Sequence, residues 1–182
     1  MEILNAAICY VFLILASIST PSHAAKPCPG DNYLRLVSGG FTLCLSPQLH
    51  KNLTIAKASD LLVKLPDGSY FGLAIVLPLA DSLPETFDMR MYPEYALGLK
   101  KPQGMTKEQT EVVANSLAIL KTQFGPAKPA KYKNKEKTIY TISSGTDTQA
   151  YVAAENISDQ VLFLTFHQMD NQKVNAILEG VQ

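Results

Sequence analysis

The sequence predicts an α+β fold: a mainly antiparallel sheet packed by two amphipathic helices. Three observations predict it. Extended runs rich in apolar residues come in two early pairs, Tyr33–Val37 with Phe41–Leu45 and Leu61–Leu65 with Tyr70–Leu77, each pair flanking a turn. Within the last of these runs Leu73 to Leu77 is apolar on both faces, which predicts a central strand covered on both sides. Three further extended runs follow one another between Thr138 and Phe166, the pattern of a meander. Two stretches, about 106–124 and 170–181, switch to helical spacing. A sheet with one apolar face and two striped helices is the ingredient list of a layered domain.

In chain order, the first hairpin turns at Ser38-Gly39-Gly40. Its alternation puts Tyr33, Val37, Phe41, Leu43 and Leu45 on one face, interrupted by Arg35, and Leu34, Leu36, Thr42 and Cys44 on the other. Gln48 to Ser59 reads equally as a short helix or a loop. Pro66-Asp67-Gly68-Ser69 is turn chemistry for the second hairpin, and Gly72 within its second strand marks a bulge or a close backbone approach. Pro78 to Pro102 is broken by Pro84 and Pro93 yet carries Phe87, Met89, Met91, Tyr92 and Tyr95. Two readings compete there: a long ordered loop tucked under the domain, or a partner-facing surface, since Tyr, Phe and Met are enriched at interface centres.

Thr106 with Gln109 three residues on is a capping box, Val113, Leu117, Leu120 and Phe124 form the helix stripe, and Gly125-Pro126 stops it. Lys128 to Lys137 holds five lysines against one glutamate and reads as a solvated connector whose charges shield an edge strand starting at Thr138. Asp147, Asp159 and Asp170 fit turns and caps, and Val174, Ile177, Leu178 and Val181 make the closing stripe.

Residues 1–24 read as an export signal. Ile3 to Ile18 is apolar, and Ser22 and Ala24 occupy small-residue cleavage positions, leaving 25–182 as one α+β domain. The n-region lacks Lys and Arg, so an uncleaved anchor is the alternative; after cleavage no stable membrane insertion is expected. Cys9 falls inside the apolar run. The two cysteines then remaining, Cys28 and Cys44, are expected to form a disulfide in an exported, periplasmic or secreted chain, provided Pro27-Cys28-Pro29-Gly30 bends back over the hairpin; two separate buried thiols are the other reading. The formal net charge is zero in 182 residues, which argues against a general attraction to nucleic acid.

No catalytic, cofactor or metal motif is present. There is no HExxH, no zinc-ligand spacing, no nucleophile elbow and no phosphate loop. Downstream of the leader the histidines are His50 and His167, the candidate bases if a hydrolase site assembles only in three dimensions. Asn52-Leu53-Thr54 and Asn156-Ile157-Ser158 match glycosylation acceptors, which matter only in a eukaryotic secretory pathway.

The order of elements, with Gly40-Phe-Thr-Leu-Cys-Leu-Ser-Pro47 at the opening and Tyr151 to Val181 at the close, resembles the small α+β domain of PsbP-like proteins, a group that includes the DcrB-like envelope proteins. That resemblance implies a binding or assembly module with no catalytic motif. The expected function is therefore a non-enzymatic exported module that binds another protein, such as an immunity or inhibitor protein against a toxin or hydrolase. A carrier of a small hydrophobic ligand is the alternative, and a hydrolase the third.

Overall fold

The computed structural model describes residues 27–57 and 60–182; the stretch expected to be an export signal, with its expected cleavage site, lies outside the described residues. The architecture is α+β and mainly antiparallel, with a two-stranded and a seven-stranded sheet. Strands β1 (Leu34–Ser38) and β2 (Phe41–Leu45) form the first hairpin. The short helix α1 (Pro47–His50) leads to β3 (Thr54–Lys57), β4 (Leu61–Lys64) and β5 (Tyr70–Val76). Helices α2 (Tyr92–Ala96) and α3 (Lys107–Phe124) precede β6 (Ala130–Asn134), β7 (Lys137–Ser144), β8 (Asp147–Ala154), β9 (Val161–His167) and α4 (Asn171–Glu179). In the large sheet the order is β3-β4-β5-β9-β8-β7-β6, every pair antiparallel.

Several expectations are corrected. The Ser38↔Phe41 pairing around a two-residue turn, with Gly39 at φ +55°, sets Leu34 opposite Leu45 and Leu36 opposite Leu43. Leu34 and Leu36 therefore share the face of Phe41, Leu43 and Leu45, while Val37 goes with Thr42 to the other; alternation within each strand was right, but the turn decides which faces join. The ambiguous stretch after Ser46 holds both a helical turn and an edge strand. The lysine-rich run is itself the edge strand β6, so β7 is interior and needs no shielding. The last helix ends at Glu179 rather than Val181.

Beyond that end the chain extends along β2. Thr42 and Gln182 exchange both backbone bonds (2.9 and 2.7 Å), the Cys44 N–H donates to the Gly180 carbonyl at 2.9 Å, and Val181 bridges Leu43. A side chain on Gly180 would collide with the Cys44 carbonyl oxygen, which explains glycine there without any special φ. The Lys137 ammonium, buried, donates to the Val181 carbonyl and ties this tail to β7.

The seven-stranded sheet has two unlike faces. On the first, Val63, Phe71, Leu73, Ile139, Val152, Leu164 and their neighbours pack under the β1–β2 hairpin and α4 into one core. On the second, Tyr140, Ile142, Tyr151, Ala153 and Val161 pack under α3 and the 78–105 segment. The α3 N-terminus carries the expected capping box, Gln109 N–H to Thr106 Oγ1 at 3.3 Å and Thr106 N–H to Gln109 Oε1 at 2.9 Å. Asp170 caps α4 by accepting the Lys173 N–H at 2.8 Å. Gly72 sits in regular pairing, so it is a close approach rather than a bulge: a Cβ there would stand 2.9 Å from Thr165 Oγ1.

Candidate functional site

The segment expected to face a partner lies largely inside. Met89, Tyr92 and Tyr95 are buried, and Phe87 and Met91 are half-buried. Tyr92 meets Tyr151 of β8 edge-on with ring centroids 5.9 Å apart, and Phe87 tilts against Tyr95 at 6.4 Å. Polar contacts pin the outer side. Asp88 caps the turn at Met89 and pairs with Arg90 at 2.6 Å, and Arg90 also donates to the Glu155 carbonyl at 2.7 Å. The Met89 N–H reaches the Ser158 carbonyl at 2.7 Å. The Arg90 guanidinium holds the Asp88 carboxyl below its usual range. The Met and aromatic content thus serves packing, and three of the five residues have no free surface to offer.

The lysines of β6 are also engaged. Lys131 pairs with Glu94 and Lys133 with Glu155, each at 2.5 Å, fastening the edge strand to the 88–94 segment and the β8–β9 turn. Glu94 raises the pKa of Lys131, while burial raises that of Tyr140 beneath it. Such paired cations are poorly placed to serve as a phosphate-binding stripe.

Cys28 and Cys44 form the expected disulfide, with Cα atoms 5.6 Å apart. It fastens the segment before β1 to the middle of β2 and gives no sign of a catalytic role. His50 donates to the Asn32 carbonyl at 2.7 Å, a structural bond that ties α1 to the start of the hairpin. His167 stacks on Tyr70 at 4.7 Å and lies 3.6 Å from Asp147. A His–carboxylate pair can orient a base, but among the described residues no serine or cysteine is hydrogen-bonded to this ring. Among the described residues no group of three His, Cys, Asp or Glu side chains is placed to hold a metal ion.

Two places on the described surface stand out beside scattered exposed apolar side chains such as Val37, Leu77 and Leu79. One is a cleft of about 970 Å³ between the hairpin, the 180–182 tail and the β6–β7 turn, lined by Tyr33, Gly40, Cys44, Glu136, Lys137 and Glu179 among others. The other is the uncovered half of the second sheet face. The pairing register puts Leu62, Gly72 and Thr165 side by side on it, with Tyr70 and His167 in the next row. Leu62 is 42% exposed, and Gly72, Ala74, Thr165 and Tyr70 are partly exposed, because α3 reaches across β7 and β8 only as far as Gln123, which accepts a 3.0 Å hydrogen bond from the Gln149 amide. The expectation that β5 is covered on both sides is corrected here: its first face is buried, but the second is partly open at Gly72 and Ala74, so the sequence did not foretell this shelf. Its only signal was an off-stripe Ile119 and a run of small residues, Gly72 and Ala74, inside an apolar strand.

The fold and these sites define an α+β protein without an assigned reactive centre. Compared with known proteins, the chain matches no family model and no curated protein.

Proposed function

We propose that this is an exported, non-enzymatic module that acts by binding another protein, for instance as an immunity or inhibitor protein; the resemblance to PsbP-like domains implies a binding or assembly module. The observation that carries the reading is the half-covered sheet. The first face is packed under the hairpin and α4, whereas the second leaves Leu62 and its neighbours accessible between β3 and β9. An accessible face of apolar and small residues on a rigid sheet is a docking surface in search of a layer. The disulfide supports export. The test is affinity recovery from an extract of the source organism's envelope, with the disulfide-bonded chain as bait. The reading expects a stoichiometric protein partner at both low and high salt. Recovery of none at either would overturn it.

The cleft favours a second reading, a small-ligand carrier, because its volume of about 970 Å³ falls within the range of ligand sites. Native mass spectrometry decides that reading: a carrier retains a small molecule that is lost on denaturation, and an empty protein after mild purification and exposure to envelope lipids counts against it.

A further inference from the structure

The open half of the sheet has a floor, a wall and a charge, and together they specify an occupant. The floor is built by strands β4, β5 and β9, whose outward residues are Leu62, Gly72, Ala74 and Thr165. Ala74 has a short side chain and Thr165 leans into the space over Gly72, so the floor is shallow there, unlike the part where α3 rests over Tyr140 and Tyr151. The wall is the flank of α3. Val112, Ser116, Ile119 and Gln123 recur at i, i+4, i+7 and i+11, one stripe beside the buried one, and the Gln123–Gln149 bond turns that stripe toward the open floor. None of the four is charged. Ile119 is 65% exposed, an apolar side chain on a helix flank with nothing over it.

The width of the vacancy is that of one helix. Strands β4, β5 and β9 at about 4.8 Å spacing span roughly 10 Å between outer strand axes, and a helix with its side chains is about 10–12 Å across. A second sheet would also need the space above α3, which the helix already fills. Charge narrows the occupant further. Lys64 stands exposed on the floor face, opposite Tyr70 and two residues from Leu62, and Asp60 is the one carboxylate between residues 51 and 64; Lys57, paired with Leu61, belongs to the first face. Two further carboxylates at this end are engaged: Asp67, in the turn between Lys64 and Tyr70, pairs with Lys173, and Asp147 faces His167. A second copy brings another Lys64 to the contact rather than an acidic flank that would complement it.

We propose that this shelf takes a single amphipathic α-helix of the partner protein, laid beside α3 with its apolar stripe on Leu62, Ala74 and Ile119 and an acidic flank against Lys64. The proposal rests on the protein-binding reading and names the chemistry of the partner surface.

The test titrates the folded, disulfide-bonded chain, labelled with nitrogen-15, with three stapled peptides of roughly 15 residues, about four helical turns. One carries a Leu/Ala stripe and a glutamate flank, one the same stripe and a lysine flank, and one the glutamate flank with the stripe scrambled. The glutamate-flanked peptide is expected to shift the amides of Leu62, Gly72, Ala74, Thr165 and Ile119 in a saturable way. The lysine-flanked peptide is expected to bind at least tenfold more weakly and the scrambled one not at all. Lys64→Glu is expected to reverse the preference between the two flanks, and Leu62→Glu to abolish binding without moving Tm, since both side chains are exposed. Equal binding of both flanks, shifts centred on Tyr33 and Gly180 in the cleft, or no shifts would overturn the proposal. The affinity recovery separates the two ideas: a natural partner held equally by wild type and Leu62→Glu keeps the protein-binding reading and sinks the shelf.

Discussion

Replacing Thr42 by valine is expected to stabilise this protein, an uncommon sign for a core substitution. Thr42 is 1% exposed, its N–H and C=O both bond to Gln182, and its hydroxyl has no partner. Burying a hydroxyl without a hydrogen bond costs roughly 1–3 kcal/mol by protein mutational data. Valine has nearly the same shape, keeps the β-branch suited to a strand, and removes that penalty. The expected gain is about 1–2 kcal/mol, or a rise in Tm of roughly 2–8 °C for a chain of this size. Thr42→Ser provides the opposite control. It keeps the unpaired hydroxyl and deletes a buried methyl, so it should cost about 1 kcal/mol. Calorimetry and urea unfolding with the disulfide intact measure both. If Thr42→Val is neutral or destabilising while Thr42→Ser is tolerated, the hydroxyl has a partner in solution and the reasoning fails.

Three other perturbations test the packing account. Replacing both Cys28 and Cys44 by serine opens a loop of sequence separation 16, and the chain-entropy relation puts the loss near 3 kcal/mol, roughly 6–12 °C in Tm; an unchanged Tm would show that β2 holds its N-terminal flank unaided. Met89→Ala should cost about 2–5 kcal/mol in urea unfolding, because its side chain is fully buried against the second face of the sheet, and a loss below about 1 kcal/mol would return that segment to the surface. Asp67 supplies the pH dependence: hydrogen bonds from Lys173 and then Ser69 lower its pKa from 3.8 to about 2. A depressed folded-state pKa means the pair stabilises fully above the unfolded value and that this contribution is lost as pH falls from about 4 through about 2. Both partners are more than a third exposed, so screening leaves under about 1 kcal/mol, and Asp67→Asn should flatten that part of the acid unfolding curve, an effect that salt reduces.

The elements whose boundaries are written in side-chain chemistry were legible in the sequence. The Thr106–Gln109 box, the Asp170 cap, the Gly39 and Gly68 turns and the β7-β8-β9 meander all appear where local residues demand them. The errors arose where a partner element decides. Lys131, Tyr132 and Lys133 are too polar to read as a strand, but an edge strand with one neighbour and Glu94 and Glu155 within reach tolerates that composition. Val181 matches the helical period, yet Gly180 lets the chain turn against Cys44 and pair with β2. The Met/Tyr segment illustrates the limit most plainly, because the same side chains suit an interface and a core, and only the sheet beneath them chooses. The shelf was invisible for a related reason: it exists because α3 is narrower than the sheet it covers, a fact of layer geometry that no single strand records.

The account stands or falls on where a partner touches. The most direct measurement is parallel affinity recovery from the envelope extract with wild type, Leu62→Glu and Phe87→Ala, the first variant checked for an unchanged Tm and the second, which loses packing on Tyr95, checked to remain folded at the assay temperature. Loss of the partner with Leu62→Glu and its retention with Phe87→Ala is the predicted result; retention with Leu62→Glu and loss with Phe87→Ala would place the contact back on the 87–95 segment and contradict the account.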